Sequence, residues 1–196
     1  QTLGHAIDRL GPGLLAMRMG DGQLACFNGG GFGDAAALEA TLAQVGARTR
    51  PLRNGAHCGF QRLDHGKTVV VLDAGPPPSG RIQHLAHAGA LSFEFSDGAE
   101  RVVVNCGGGL SAATLRSPTL ATMLRTTAAH STLIIGDTNS TQLRSDGNLG
   151  KGIDEVTVVR DDGEEGTVVD AAHDGYALRH GFIHRRRLFL SRDGMD

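Results

Sequence analysis

The chain has 196 residues, 40% of them apolar, with 29 glycines, no tryptophan and a formal charge of −2. This balance fits one large domain or a domain with a fragment and argues against a general nucleic-acid or polyanion-coating role. No apolar run approaches the roughly 20 residues of a membrane-spanning helix, and three cysteines (Cys26, Cys58, Cys106) without CxxC spacing argue against a zinc knuckle or a disulfide framework.

The chain opens at Gln1-Thr2-Leu3, without an initiator Met or a signal peptide, and closes just past a strand pattern, so both ends read as cuts through a longer protein. Near the start, Leu3, Ile7 and Leu10 share one helical face, and Gly11-Pro12-Gly13 interrupts it. Gln23 to Phe27 reads as a short extended piece, followed by a glycine-rich turn through Gly33. No GK[ST] follows those glycines, so they make a turn rather than a phosphate loop. Asp34 is placed to cap a second helix from Ala35 to Val45. From about residue 55 the pattern becomes β. Phe60 to Leu63 and Thr68 to Leu72 flank Asp64-His65-Gly66-Lys67, a hairpin signature. Pro76 to Pro78 form a connector that no ladder can cross.

A second hairpin follows. Leu91, Phe93 and Phe95 alternate with Ser92, Glu94 and Ser96, the period of a half-buried strand. Asp97-Gly98 supplies a tight turn, and Val102 to Val104 run back. Residues 107 to 124 read as a long loop, Thr132 to Ile135 as a strand, and 138 to 152 as polar turns. A third hairpin joins Asp154 to Arg160 with Thr167 to Ala171, and Gly181 to Ser191 makes a last strand. Repeated hairpins without intervening helices predict an antiparallel β-sandwich, with helices confined to the first 45 or so residues.

The second hairpin carries the main candidate site. His87 precedes its first strand and Asn105 follows its second, so the two are neighbours, and His130 opens the next expected strand. Two imidazoles suit Zn²⁺, although the usual oxygen ligand is a carboxylate and Asn105 offers a neutral carbonyl. The same three residues also make a hydrogen-bonded polar network, in which the Asn105 amide donates to an imidazole. His84, His173, His180 and His184 form a looser set, each an acid–base candidate near neutrality. Tyr176, the only tyrosine, is a candidate proton donor. Arg185 and Arg187 lie on one strand face, suited to an acidic saccharide or to pairing with Asp161, Asp162, Glu164 or Glu165. Ser131 beside His130 lacks a nucleophile elbow.

The blocks from His87 to Phe93, from Val103 to Gly107 and from Arg125 to Thr132 resemble the heparinase II/III-like family, whose pattern is approximately HADALSF, LVDPG and RSTAAHNT. His173-Asp174-Gly175-Tyr176 and His184 to Leu190 resemble its later strands. The resemblance implies residues 1–50 as the end of a helical α/α toroid domain and 51–196 as a truncated sandwich domain. It implies a lyase that cleaves a uronic-acid-containing polysaccharide by β-elimination, with an acidic polysaccharide substrate, a helical domain upstream that supplies most of the chemistry, and a periplasmic or cell-envelope location. The implied sandwich histidine at the chemistry is taken as His84; Tyr176 stays a catalytic candidate and Arg185 and Arg187 stay substrate contacts on the reading of the residues themselves. The family's zinc ligands, two His and an Asp, fall on His87, His130 and Asn105. Departures are Asn105 for that Asp, Gly89 for the Asp of the first block, and Ser131 for the Asn of the third. They weaken the implied Zn²⁺ and favour a second hypothesis, a non-catalytic saccharide-binding or assembly relative. A cupin-like oxygenase does not fit, because no second histidine block follows.

Overall fold

Residues 2–44, 49–108 and 117–193 are described by the computed structural model. Two helices open the chain, α1 (Thr2–Ala16) and α2 (Ala35–Leu42). The first runs through Pro12 instead of stopping there; the Pro12 carbonyl accepts from Leu52 N, 2.9 Å away. Leu10 is exposed on it, and the side chains of Leu3 and Ile7 lie outside the described residues, as does Val45. Asp34 caps α2 by accepting from Ala37 N at 2.8 Å.

Seven strands follow: β1 (Phe60–His65), β2 (Thr68–Asp73), β3 (Phe93–Asp97), β4 (Glu100–Val103), β5 (Val156–Asp162), β6 (Gly166–His173) and β7 (His184–Ser191). They form two antiparallel sheets, β1-β2-β3-β4 and β5-β6-β7. His65 pairs with Thr68 across Gly66-Lys67, and Asp97 pairs with Glu100 across Gly98-Ala99. Gly66 and Gly98 both have φ of 56°, which the two-residue turns require and a glycine adopts without strain. The second turn is therefore Gly98-Ala99, one residue later than Asp97-Gly98. The sheets face each other across Leu63, Leu72, Ala74 and Leu91 from one layer and Val169, Ala171 and Leu190 from the other. This is a β-sandwich.

Three expectations need correction. Thr132 to Ile135 is not a strand: only Ile135 makes an isolated bridge, to Thr138. The backbone there is held by side chains instead; Thr132 Oγ1 donates to Ala90 O and Tyr176 Oη to Leu133 O. Helices also occur beyond the first segment, but short: α3 (Pro118–Met123), α4 (Ala177–His180) and two 3₁₀ turns at Gly80–Leu85 and Thr127–Ala129. Of the long loop read across 107 to 124, residues 109–116 lie outside the described residues and α3 occupies part of the rest.

The third correction concerns β3. Its polar residues are the more deeply buried: Glu94 and Ser96, like Ser92 just before the strand, are each 0% exposed, while Phe93 and Phe95 are only partly covered. The sheet is covered on both faces. One faces β5-β6-β7, and residues 17–27 run across the other, packing Met19, Ala25 and Phe27 on Val69 and Val71. That segment brings unpaired backbone donors, and β3 satisfies them: Gly20 N donates to Ser96 Oγ and Cys26 N to Glu94 Oε1. Leu91 sits just before the strand, with φ of 59°.

Candidate functional site

Three segments meet at one end of the sandwich: 84–91 before β3, Asn105 after β4, and 125–131. Arg125 sews the first and third together, its Nε donating to Ala86 O at 2.9 Å and Nη2 to Gln83 O at 3.2 Å. Thr127 Oγ1 donates to Ala88 O at 2.7 Å. Asn105 is positioned from both sides. Its N–H donates to Glu94 Oε1, and its Oδ1 accepts from Ser131 N at 2.9 Å; the Ser131 hydroxyl, 3.2 Å from the same oxygen, donates to Phe93 O.

His87 and His130 are in direct contact, with Nδ1 of one 3.0 Å from Nε2 of the other and rings at 76°. The His130 Nδ1 lies 2.8 Å from Thr126 O and must donate to it, which leaves its Nε2 as acceptor and makes His87 Nδ1 the donor. Gly89 permits this packing: a Cβ there would stand 2.8 Å from the His130 ring. Burial, then His130 and Arg125, hold His87 down at about 3; burial lowers His130 as well. Both imidazoles are neutral at physiological pH. The Asn105 amide does not donate to an imidazole, as the network reading has it; Nδ2 is buried and has no hydrogen-bond partner among the described residues. No three His, Cys, Asp or Glu side chains among the described residues are grouped to hold a metal ion.

His87 also lines a groove of about 190 Å³ with Gly29, His84, Leu85, Ala121, Thr122 and Arg125. His84 is exposed there, and its Nδ1 donates to Arg81 O at 3.0 Å, so Nε2 carries the free lone pair. All three hydrogen bonds of the Arg125 guanidinium go to carbonyl oxygens, the third to Gly147 O. No carboxylate lines the groove among the described residues.

The structure places the other candidates elsewhere. Tyr176 is 1% exposed, with its hydroxyl donating to Leu133 O at 2.7 Å, at the edge of an open cleft of about 1080 Å³ that Asp154, Asp174, Arg179 and His180 also line. It does not share the His84 groove. His173 and His184 form a second buried pair, Nε2 to Nδ1 at 3.1 Å, and His180 Nε2 meets Thr138 Oγ1 at 2.7 Å. Arg185 and Arg187 are exposed on the solvent face of the second sheet; Arg185 grips Asp170 with two bonds of 2.7 and 2.5 Å, in place of the four acidic partners expected. Arg186, between them, turns inward to Leu91 O and Ser131 O, each at 2.6 Å. Glu94, Arg125 and Arg186 are the residues that sequence reasoning missed. The only signal was a charge embedded in an otherwise matching block, and charge alone does not say that a side chain faces inward.

The fold matches solved lyases. Heparan sulfate lyase HepC from Pedobacter heparinus aligns with a TM-score of 0.64 at 18% identity, over 90% of this chain and 29% of the lyase. A heparinase III, the BT4657 gene product, aligns at 0.62 and 14% identity, over 91% of this chain and 29% of its own. The family model described as heparinase II/III-like, C-terminal, matches residues 47–196, and the chain belongs to that family. A curated relative, FtsZ-localized protein C of Caulobacter vibrioides (strain NA1000 / CB15N), is 33% identical over 207 residues, covering 97% of this chain and 33% of the relative. The chain thus spans about a third of the length of the proteins it matches.

Proposed function

We propose that this chain is the sheet-domain part of a longer polysaccharide lyase acting on a uronic-acid-containing polymer by β-elimination. The observation that carries this reading is the charge of the His84 groove: among the described residues it is lined by a guanidinium bonded only to carbonyls and by no carboxylate. Such a groove favours an anion, and the elimination needs its substrate carboxylate neutralised. In the reaction a base removes the C5 proton, the C4–oxygen bond breaks, a C4–C5 double bond forms, and the departing oxygen takes up a proton. Arg125 holds the carboxylate, and His84, exposed in the groove, relays a proton. The remaining catalytic groups come from a helical domain upstream. Tyr176 keeps a structural role through its bond to Leu133 O. Arg185 and Arg187 offer a separate saccharide contact on the outer sheet face, and a periplasmic or cell-envelope location suits such a substrate.

The test uses the longer protein and a panel of uronate polymers, following unsaturated ends by ultraviolet absorbance. Arg125→Lys, which keeps the charge but loses the forked geometry, is expected to lower kcat/KM by roughly 10- to 100-fold. A second reading, a non-catalytic assembly relative, is favoured by one observation: the relative named for FtsZ is 33% identical, against 18% for the lyase. Cosedimentation of the longer protein with FtsZ polymers, with no unsaturated product from any polymer, would decide for it.

A further inference from the structure

We infer that the His87–Asn105–His130 cluster rejects divalent zinc as it stands, and that the orientation of a single amide is the barrier. The cluster has two of the features a zinc site needs. His87 Nδ1 and His130 Nε2 converge to 3.0 Å, and His130 Nδ1 is anchored on Thr126 O, the outer bond that normally fixes a ligating imidazole. The third feature is an oxygen facing the two nitrogens, and Asn105 withholds it. Its only side-chain oxygen is committed to Ser131, accepting from the backbone N–H at 2.9 Å, with the hydroxyl, which donates to Phe93 O, 3.2 Å away. What Asn105 has left is Nδ2, buried and without a hydrogen-bond partner among the described residues, a donor that cannot ligate a cation.

A flip of the amide does not rescue the site. It would set Nδ2 against the Ser131 N–H, donor against donor, and strip that N–H of its acceptor. Leaving such a group unpaired costs about 1 to 3 kcal/mol. The main chain of Asn105 is no freer, since its N–H is held by Glu94 Oε1 at 3.1 Å. The cluster also contains no anion to balance a dication. A carboxylate at 105 removes each obstacle together: one oxygen keeps the Ser131 N–H bond, the other replaces Nδ2, and a negative charge arrives. The cluster is therefore a hydrogen-bond clasp joining the three segments that meet beside the groove, one substitution away from a metal centre. This inference does not rest on lyase activity.

The experiment is zinc titration by calorimetry on chelator-treated protein, with cobalt absorbance as a second readout of tetrahedral ligation. The wild-type chain is expected to show no zinc uptake that depends on His87. Asn105→Asp is expected to take up one equivalent, with affinity raised on the order of 100-fold or more over the wild type, and to lose it when His130→Ala is added. Stoichiometric zinc in the wild type that disappears in His87→Ala overturns the inference. So does a folded Asn105→Asp protein, judged by its circular dichroism and melting, that gains no zinc. Should that variant fail to fold, nitrogen-15 spectra of the wild type decide the matter: histidine and Asn105 side-chain signals unmoved by excess zinc support the clasp, and a zinc-induced shift at His87 or His130 refutes it.

Discussion

At the scale of single residues, the molecule keeps its buried histidines neutral. His87 is held at about 3, by burial first and then by His130 and Arg125. His173 and His184 sit at about 4, by burial and then by His184 and Arg186 respectively. An imidazole in the unfolded chain titrates near about 6.5. Between those values the unfolded chain binds protons that the fold refuses, so stability falls as the pH drops from about 6.5 toward about 4. Asp73 works the other way: burial pushes its carboxyl from 3.8 up to about 7, so its ionisation costs stability above that value and the cost fades on acidification. Four depressed imidazoles, His130 included, outweigh one carboxyl. The urea midpoint is expected to fall between pH 6.5 and 4.5, and more steeply in Asp73→Asn; a flat or rising midpoint would refute this. Gly89 acts through space rather than charge. Gly89→Ala places a Cβ 2.8 Å from the His130 ring and is expected to destabilise by about 1 to 3 kcal/mol through overpacking, read from the same denaturation curves.

Among the elements, β3 is where pattern and outcome diverge most usefully. Its alternation was legible, and so was its pairing with β4; which side is wetter was not. Periodicity reports that two faces differ, and says nothing of what covers each. Here residues 17–27 cover the polar face, and Glu94 binds Cys26 N, Asn105 N and Arg101 Nη1 at 2.9, 3.1 and 2.6 Å. Arg101 in turn holds Asp21 and Leu24 O. One buried carboxylate thus ties the N-terminal segment to the strand that positions Asn105. Removing its charge leaves the guanidinium, 11% exposed, paired with Asp21 alone. Glu94→Gln is expected to cost about 1 to 3 kcal/mol and to expose the 17–27 segment to limited proteolysis before the second sheet. Equal protection of both regions would show that the segment is held by its apolar contacts alone.

For the molecule as a whole, the sandwich contributes a charged groove and a clasp, and the lyase reading assigns the base to chain upstream. The 196-residue chain alone is therefore expected to release no unsaturated ends from any uronate polymer, while the longer protein does. Turnover by this chain alone would move the base into the groove, with His84 the first group to replace.

The amino-acid sequence by itself determined the hairpins, the two-layer β architecture and the family blocks, because turn glycines and period-two alternation are local properties of the backbone. It also brought His87, Asn105 and His130 forward as candidates, through block order. Only the tertiary structure decided what those residues do to each other. The reading of 132–135 as a strand failed because apolar β-branched residues also fit an irregular segment pinned by Thr132 and Tyr176. Tyr176 and His84 fall in different depressions, and Arg186 rather than its neighbours faces the core, because strand register sets which side each residue takes. The direction in which the Asn105 amide points depends on Ser131, 26 residues away. No local pattern encodes it, because a hydrogen bond between distant segments exists only once the sheets have packed.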